Sequence, residues 1–216
     1  MTNHYNLIIF DLDGTILYTL EDLANSLNFM LKQFGYPTRT IAEVRCFVGN
    51  GVRHLVASAL PQGEATTNFE ECFSVYRKHY SAHSNDTTRA YDGIAEVMRQ
   101  LRQGGYKIGI LSNKYHTAAI GLCNIYFGGL FDIALGESEL CKRKPNPDGV
   151  WQIIRFVGTD CQHTVIVGDA ETDIATAHNA GIDCISALWG YRTRTDLLKA
   201  GATRFADTPQ QLLTIF

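Results

Sequence analysis

The sequence predicts an α/β protein: a doubly wound layer of parallel strands and helices, interrupted just after its first strand by a block of helices. Three observations carry this reading. Short β-branched or apolar runs lead straight into polar clusters: Leu7 to Phe10 before Asp11, Ile108 to Leu111 before Ser112, and Val165 to Val167 before Gly168. Runs that are apolar on both faces are what strands buried in a parallel sheet require. From about residue 90 onward such runs alternate with helical patterns, the signature of a parallel α/β layer. Residues 16 to 84, in contrast, offer helix-like stretches and no strand, which marks an insertion.

The elements follow in chain order. Leu7 to Phe10 is the first strand. Inside the insertion, helices are predicted over Leu20 to Phe34, Ile41 to Phe47, Val52 to Leu60 and Phe69 to Tyr80, and the polar stretch Ser84 to Arg89 returns the chain to the sheet layer. Ile94, Val97, Met98 and Leu101 repeat at i, i+3, i+4, i+7 and stop at Gly104-Gly105; Val150, Ile153, Ile154 and Val157 do the same before Gly158. Ile174 to Ala180 before Gly181 is a further helix, followed by a strand around Cys184 to Leu188. Thr208-Pro209-Gln210-Gln211 places an N-cap, a first-turn proline and a capping-box glutamine ahead of a last helix.

Composition bounds the function. A chain of 216 residues can bury about 70% of its extended surface. With 45% hydrophobic and 19% charged residues it is not intrinsically disordered. A formal net charge of -3 supplies no basic field to hold nucleic acid or an anionic bilayer, so neither is expected as a partner. The longest apolar runs reach four residues, against the ~20 of a membrane span. The opening MTNHYNLIIFDLDG lacks a basic n-region and a small-residue cleavage site, so no secretory leader is expected. Six scattered cysteines form no C-x-x-C pair and read as free thiols of a cytoplasmic protein. His79 and His83 stand at helical i, i+4 spacing but have no third metal ligand in register, so they read as helix-surface residues.

Four clusters bear chemistry. Asp11-Leu12-Asp13-Gly14-Thr15 follows the first strand at the sheet edge where open α/β proteins bind ligands. Ser112-Asn113-Lys114 follows a second strand and offers a hydroxyl and an amide. Lys142-Arg143-Lys144-Pro145-Asn146-Pro147 is cationic, and Gly168-Asp169-Ala170-Glu171-Thr172-Asp173 closes a third strand with two more carboxylates. Taken singly these read equally as caps, turns and a solvated loop. Together they bring four carboxylates to one crevice, where they repel unless a cation is present. All-oxygen ligation selects a hard ion, and Mg²⁺ with a lysine and neutral donors makes a phosphoryl site.

DLDGT, the serine after the second strand, K-P before a helix and GDxxxD, in this order and spacing, resemble the four signature motifs of the haloacid dehalogenase superfamily of phosphohydrolases. The resemblance covers nearly the whole chain. It implies a Rossmann-like doubly wound parallel-sheet core, residues 1–15 and 85–216, with a small helical cap domain at 16–84 inserted after the first strand. VGNGVRHLV at 48 to 56 and the tail WGYRTRTDLLKAGATRFADTPQQL at 189 to 212 resemble the phosphoglycolate phosphatase branch.

Carried over by position, the resemblance implies Asp11 as nucleophile, forming an aspartyl-phosphate, and Asp13 as general acid and base that also lends its backbone carbonyl to the metal. It implies Ser112 and Lys144 on the phosphoryl oxygens, and Asp11, Asp13, Asp169 and Asp173 around Mg²⁺. Thr15 and Asn113 are further substrate-site candidates, and Arg53 a candidate for a substrate carboxylate. Tyr18 stands where many members carry an aspartate, in the hinge toward the cap. The expected partner is a small phosphorylated metabolite, with 2-phosphoglycolate the candidate the resemblance implies; the expected state, monomer or homodimer. On the same core a phosphomutase of the beta-phosphoglucomutase type or a pyrophosphatase is the runner-up. A receiver-like phospho-acceptor is the alternative outside enzymes, disfavoured because the D-x-D comes from the first strand and a helical insert interrupts the chain.

Overall fold

The computed structural model describes residues 5–216; residues 1–4, part of the segment read for a leader and of the expected core, lie outside the described residues. The strands are β1 (Leu7–Phe10), β2 (Leu17–Tyr18), β3 (Arg89–Ala90), β4 (Lys107–Tyr115), β5 (Ile133–Glu137), β6 (Thr164–Gly168), β7 (Asp183–Ala187) and β8 (Phe205–Ala206). The helices are α1 (Leu20–Gln33), α2 (Ile41–Phe47), α3 (Gly51–Ala59), α4 (Phe69–His83), α5 (Ile94–Gln103), α6 (His116–Phe127), α7 (Asp148–Val157), α8 (Glu171–Ala180), α9 (Arg194–Lys199) and α10 (Leu212–Ile215).

Among the described residues one parallel sheet runs in the order β5-β4-β1-β6-β7-β8, with helices on both faces. Strand β1 shows why its run had to be apolar throughout. Ile8 and Phe10 pack toward α5, α6 and α10, while Leu7 and Ile9 pack toward α7 and α8, and all four are buried. The chain order reverses at β1, with β4 on one side and β6 on the other. The carboxyl end of β1 is therefore the topological switch point, where ligands bind in such sheets.

The inserted helices gather around their own apolar cluster. On α1, Leu20, Leu23, Ala24, Leu27, Met30 and Leu31 face Val44, Val56, Phe69, Cys72 and Tyr76 of α2 to α4. Thr40 and Glu43 close a capping box at the start of α2. One polar residue on the inner side of α1, Asp22, is buried because the returning chain satisfies it. Thr87 and Thr88 each donate a backbone N–H and a hydroxyl to its carboxylate, at 2.6 to 3.1 Å. Burial pushes the Asp22 carboxyl up, and these four donors outweigh it, leaving it below the usual range.

The structure departs from the sequence expectations at particular places. The insertion was read as strandless; β2 at its start pairs antiparallel with β3 at its end, a two-stranded ribbon that carries the chain out of the sheet layer and back. Tyr18 lies in this ribbon, under the Arg89 guanidinium (4.2 Å from its ring centre) and edge-on to Tyr91 and Tyr191. Strand β4 does not stop at Leu111 but continues through Ser112, Asn113 and Lys114 to Tyr115, where after an irregularity it pairs again with Glu137. Helices α6 and α9 and strands β5 and β8 were not anticipated. On α6 the apolar residues spread around the helix, with Ile125 exposed, so no single face stands out in the sequence. At the C-terminus Thr208 makes no side-chain cap. Gln211 instead accepts from the Asp207 backbone N–H (2.5 Å), and Pro209–Gln211 forms a 3₁₀ turn before α10.

Candidate active site

The site begins where β1 ends. Asp11 keeps the strand register by donating its N–H to the Val167 carbonyl (2.9 Å). The chain then turns sharply: the Leu12 carbonyl accepts from the amides of Thr15, Ile16 and Leu17, and Gly14 N–H donates to the Leu17 carbonyl (2.8 Å). Gly14 has φ +93°, and a Cβ there would stand 2.4 Å from Asp169 Oδ2, so the turn and the neighbouring carboxylate both require glycine.

Two buried lysines hold three of the four carboxylates. Lys144, carried before α7, places Nζ 2.7 Å from Asp11 Oδ1 and 2.6 Å from Asp173 Oδ1. Lys114, on the extension of β4, places Nζ 2.8 Å from Asp13 Oδ1 and donates to Tyr80 Oη on α4 at 2.7 Å. Burial alone would lower both lysines. The facing carboxylates outweigh it, Asp13 for Lys114 and Asp11 with Asp173 for Lys144, and hold both ammonium groups above their ordinary range. Asp13 also accepts from the Thr19 hydroxyl (2.6 Å) and, more loosely, from Ser112 Oγ (3.5 Å).

Asp169, at the end of β6, is 1% exposed and accepts from Thr15 Oγ1 (2.9 Å) and from Tyr191 N–H (2.6 Å). The loop after β7 approaches it so closely that a Cβ on Gly190 would lie 2.2 Å from Asp169 Cβ. Burial, reinforced by the Asp173 charge, raises the Asp169 carboxyl to about 7. Burial followed by Asp173 likewise pushes Asp11 well above the usual carboxylate range, with Lys144 opposing. Oxygens of Asp11, Asp169 and Asp173 lie within 4.8 Å of one another. Three buried carboxylates this close, two of them driven toward the neutral form, are an all-oxygen donor set that a hard divalent cation fits.

The crevice beneath the helices is lined by Asp11, Asp13, Ser112, Lys114 and Lys144 together with Gly49, Val52, Leu55 and Arg192. Four candidates have their side chains engaged by the protein itself. Arg53 gives its guanidinium to Glu64 and Glu70 on the outer side of the helices and does not line the crevice. Thr15 is fully buried and spends its hydroxyl orienting Asp169, not a substrate. Asn113 lines the crevice, but its amide is bonded at both ends: it donates to the Gly49 and Lys144 carbonyls and accepts from Lys144 N–H (2.6 Å). It braces the loop that carries Lys144. The Asp13 carboxylate is outside the three-carboxylate group, because Lys114 and Thr19 hold it.

The sequence reading gave no role to Lys114, Tyr80, Tyr191 or Arg192. For Lys114 a signal existed: on an extended chain it shares the face of Ser112, two residues earlier. Arg192 pairs with Glu171 (2.9 Å) and donates to the Val48 and Arg45 carbonyls, and Arg45 in turn donates to the Gly190 and Tyr191 carbonyls. These contacts tie the helical layer to the sheet layer across long sequence separations.

The family profile described as haloacid dehalogenase-like hydrolase matches residues 8–187. A phosphoglycolate phosphatase of Xanthomonas campestris pv. campestris is 32% identical over 207 residues, 95% of this chain and 93% of that one. A phosphoglycolate phosphatase of Aquifex aeolicus is 32% identical over 185 residues, 85% of each. Among solved structures, a Lactobacillus delbrueckii subsp. bulgaricus protein provisionally named a phosphoglycolate phosphatase superposes with a TM-score of 0.92 at 34% identity, over 96% of both chains.

Proposed function

The chain belongs to the haloacid dehalogenase-like hydrolase family and is a phosphoric monoester hydrolase, and from that premise we propose that it is a Mg²⁺-dependent phosphatase acting on a small phosphate monoester, 2-phosphoglycolate foremost. The observation that carries the reading is the division of labour between two carboxylates on one turn: Asp11 held by Lys144 within the carboxylate trio, Asp13 held apart by Lys114. The names of the relatives supply the substrate.

In this reading an Asp11 carboxylate oxygen attacks phosphorus while the bond to the ester oxygen breaks, and Asp13 gives its proton to the departing alkoxide. A water then attacks the aspartyl-phosphate as Asp13 takes back a proton from it. The bond between phosphorus and the Asp11 oxygen breaks, and inorganic phosphate leaves with both carboxyl groups restored. Ser112 and Lys144 hold phosphoryl oxygens. Asp11, Asp169 and Asp173, with the Asp13 carbonyl, would hold Mg²⁺, which would supply positive charge against the phosphoryl group. Residues 16–84 act as the cap that excludes water, and the core is the remainder. Among the described residues no helix is long and apolar enough to cross a bilayer.

The test is steady-state release of inorganic phosphate from a panel of phosphate esters, sugar phosphates and pyrophosphate with Mg²⁺ and with EDTA. The expected result is Mg²⁺-dependent turnover with 2-phosphoglycolate among the best substrates. Isomerisation of a sugar phosphate without net release of phosphate would overturn it.

A further inference from the structure

The reading above uses Lys114 only to hold Asp13 apart from the carboxylate trio, yet it is 3% exposed and carries a charge at the edge of the reacting carboxylates. Its Nζ joins two groups from different layers: Asp13 Oδ1 at 2.8 Å, from the turn after β1, and Tyr80 Oη at 2.7 Å, from α4 of the inserted helices. Tyr80 is itself buried, and its ring stacks nearly parallel on that of Tyr76 (5.8 Å, 9°), so its hydroxyl has little freedom to move. On the Lys114 side, Ser112 Oγ accepts from the Lys114 backbone N–H (3.1 Å), which ties the strand extension to a second crevice residue.

A carboxylate on a short side chain beyond a tight turn has several rotamers open to it. Asp13 is restricted to one by Thr19 on its own segment and by Lys114 from the neighbouring strand. An ammonium has three donors on a flexible stem, so its direction is set by what else it bonds. For Lys114 that second partner is Tyr80.

We propose that Lys114 and Tyr80 are positioning residues that hold the Asp13 carboxyl at the leaving-group side of the crevice, so that proton transfer to the leaving group requires a hydroxyl supplied by the inserted helices. This rests on the reading of Asp13 as general acid. The consequence is selective: a leaving group that needs a proton depends on the bridge, and one that leaves readily as an anion does not.

The experiment compares kcat/KM for 2-phosphoglycolate, whose alkoxide needs a proton, with that for p-nitrophenyl phosphate, whose phenolate does not. Because kcat/KM covers only the steps through departure of the first product, later hydrolysis of the aspartyl-phosphate does not enter. The ratio of the two values is expected to fall at least about tenfold in Lys114→Met, within the 10²–10⁴ that general acid–base catalysis supplies. In Tyr80→Phe, which keeps the ring and its stacking and decides the matter if Lys114→Met does not fold, the ratio is expected to fall about threefold, a part of that same contribution. Asp13→Asn distinguishes the two levels. If it lowers both substrates equally, Asp13 is not the acid and the underlying reading is wrong. If it lowers the ratio while Lys114→Met and Tyr80→Phe leave the ratio at the wild-type value, the bridge is wrong and the acid stands.

Discussion

Lys144 Nζ lies 2.7 Å from Asp11 Oδ1, and both groups are buried. The contact places a fixed positive charge against the carboxylate expected to attack phosphorus. It is the central pairing of the crevice, because the same ammonium also holds Asp173 at 2.6 Å.

Asp11→Asn is expected to lose at least about 10³ in kcat, the scale of losing a nucleophile. Rapid acid quench of a single turnover, with enzyme in excess and a radiolabelled phosphoryl group on the substrate, should trap that label as an acyl phosphate on the Asp11 peptide. Phosphate released with no label on that peptide at any quench time would mean that water attacks without an intermediate.

Lys144→Ala and Lys142→Ala should behave oppositely. Lys142 is 70% exposed, with Asp148 3.9 Å away, and its loss should leave kcat/KM near wild type. Removing Lys144 should cost about 10²–10³ in kcat, as for one preorganised electrostatic group. It should also destabilise the fold by about 3–5 kcal/mol, because Asp11 and Asp173 would lose their buried counter-ion. Equal losses from the two variants in kinetics would refute the assignment.

The carboxylate trio should make metal-free protein less stable at neutral pH than at mildly acid pH. Asp169 titrates near 7 in the folded chain, against about 3.9 for an unperturbed aspartate. Between those values the folded state binds more protons than the unfolded one. Stability without metal should therefore rise as pH falls from 7 toward 5, the opposite of a salt-bridged carboxylate. Mg²⁺ at a hundred times its Kd should add about 2.7 kcal/mol. At ~2–4 °C per kcal/mol that is roughly 5–11 °C in melting temperature. Thermal melts with EDTA and with Mg²⁺ from pH 5 to 7.5 check both; a metal-free melting temperature that falls toward pH 5 would contradict the first.

Asp22→Ala should unlock the return of the insertion. Its carboxylate accepts two backbone N–H groups and two hydroxyls from Thr87 and Thr88. Hydrogen bonds to a charged group contribute about 1.5–3 kcal/mol each net of water, and removing Asp22 also relieves the cost of burying its charge, so a net loss of about 2–4 kcal/mol in denaturant unfolding is expected. Because folding lowers the Asp22 pKa, its contribution is complete above the unfolded value and is lost as pH falls through the folded one. The difference between wild type and Asp22→Ala should shrink below about pH 4. A difference that stays constant from pH 7 to pH 3 would assign the loss to packing.

Much of the fold was legible because its signals are local. Ile41 to Phe47 was expected as a helix and is one, bounded by a capping box made of neighbours. The runs before Asp11, Ser112 and Gly168 were expected as buried strands and form the centre of the sheet. Where the signal was not local the expectation fell short. Strands β2 and β3 are two residues each and owe their existence to pairing across the whole insertion. Helix α6 buries one face, Ala119, Leu122, Cys123 and Phe127, but carries further apolar residues such as the exposed Ile125 around it, so its apolar residues trace no stripe.

By itself the sequence determined which chemical groups arrive at the carboxyl edge of the sheet, because each of Asp11, Ser112 and Asp169 directly follows or extends an apolar run that had to be a strand. Only the tertiary structure decided who partners whom. Thr15 serves Asp169, Asn113 braces the Lys144 loop, Arg53 faces away with Glu64 and Glu70, and Lys114 binds Asp13 with a hydroxyl from α4. The physical reason is that a strand run constrains the residues within it, whereas the partner of a buried charge is set by which of several distant segments the packed layers bring within about 3 Å of it.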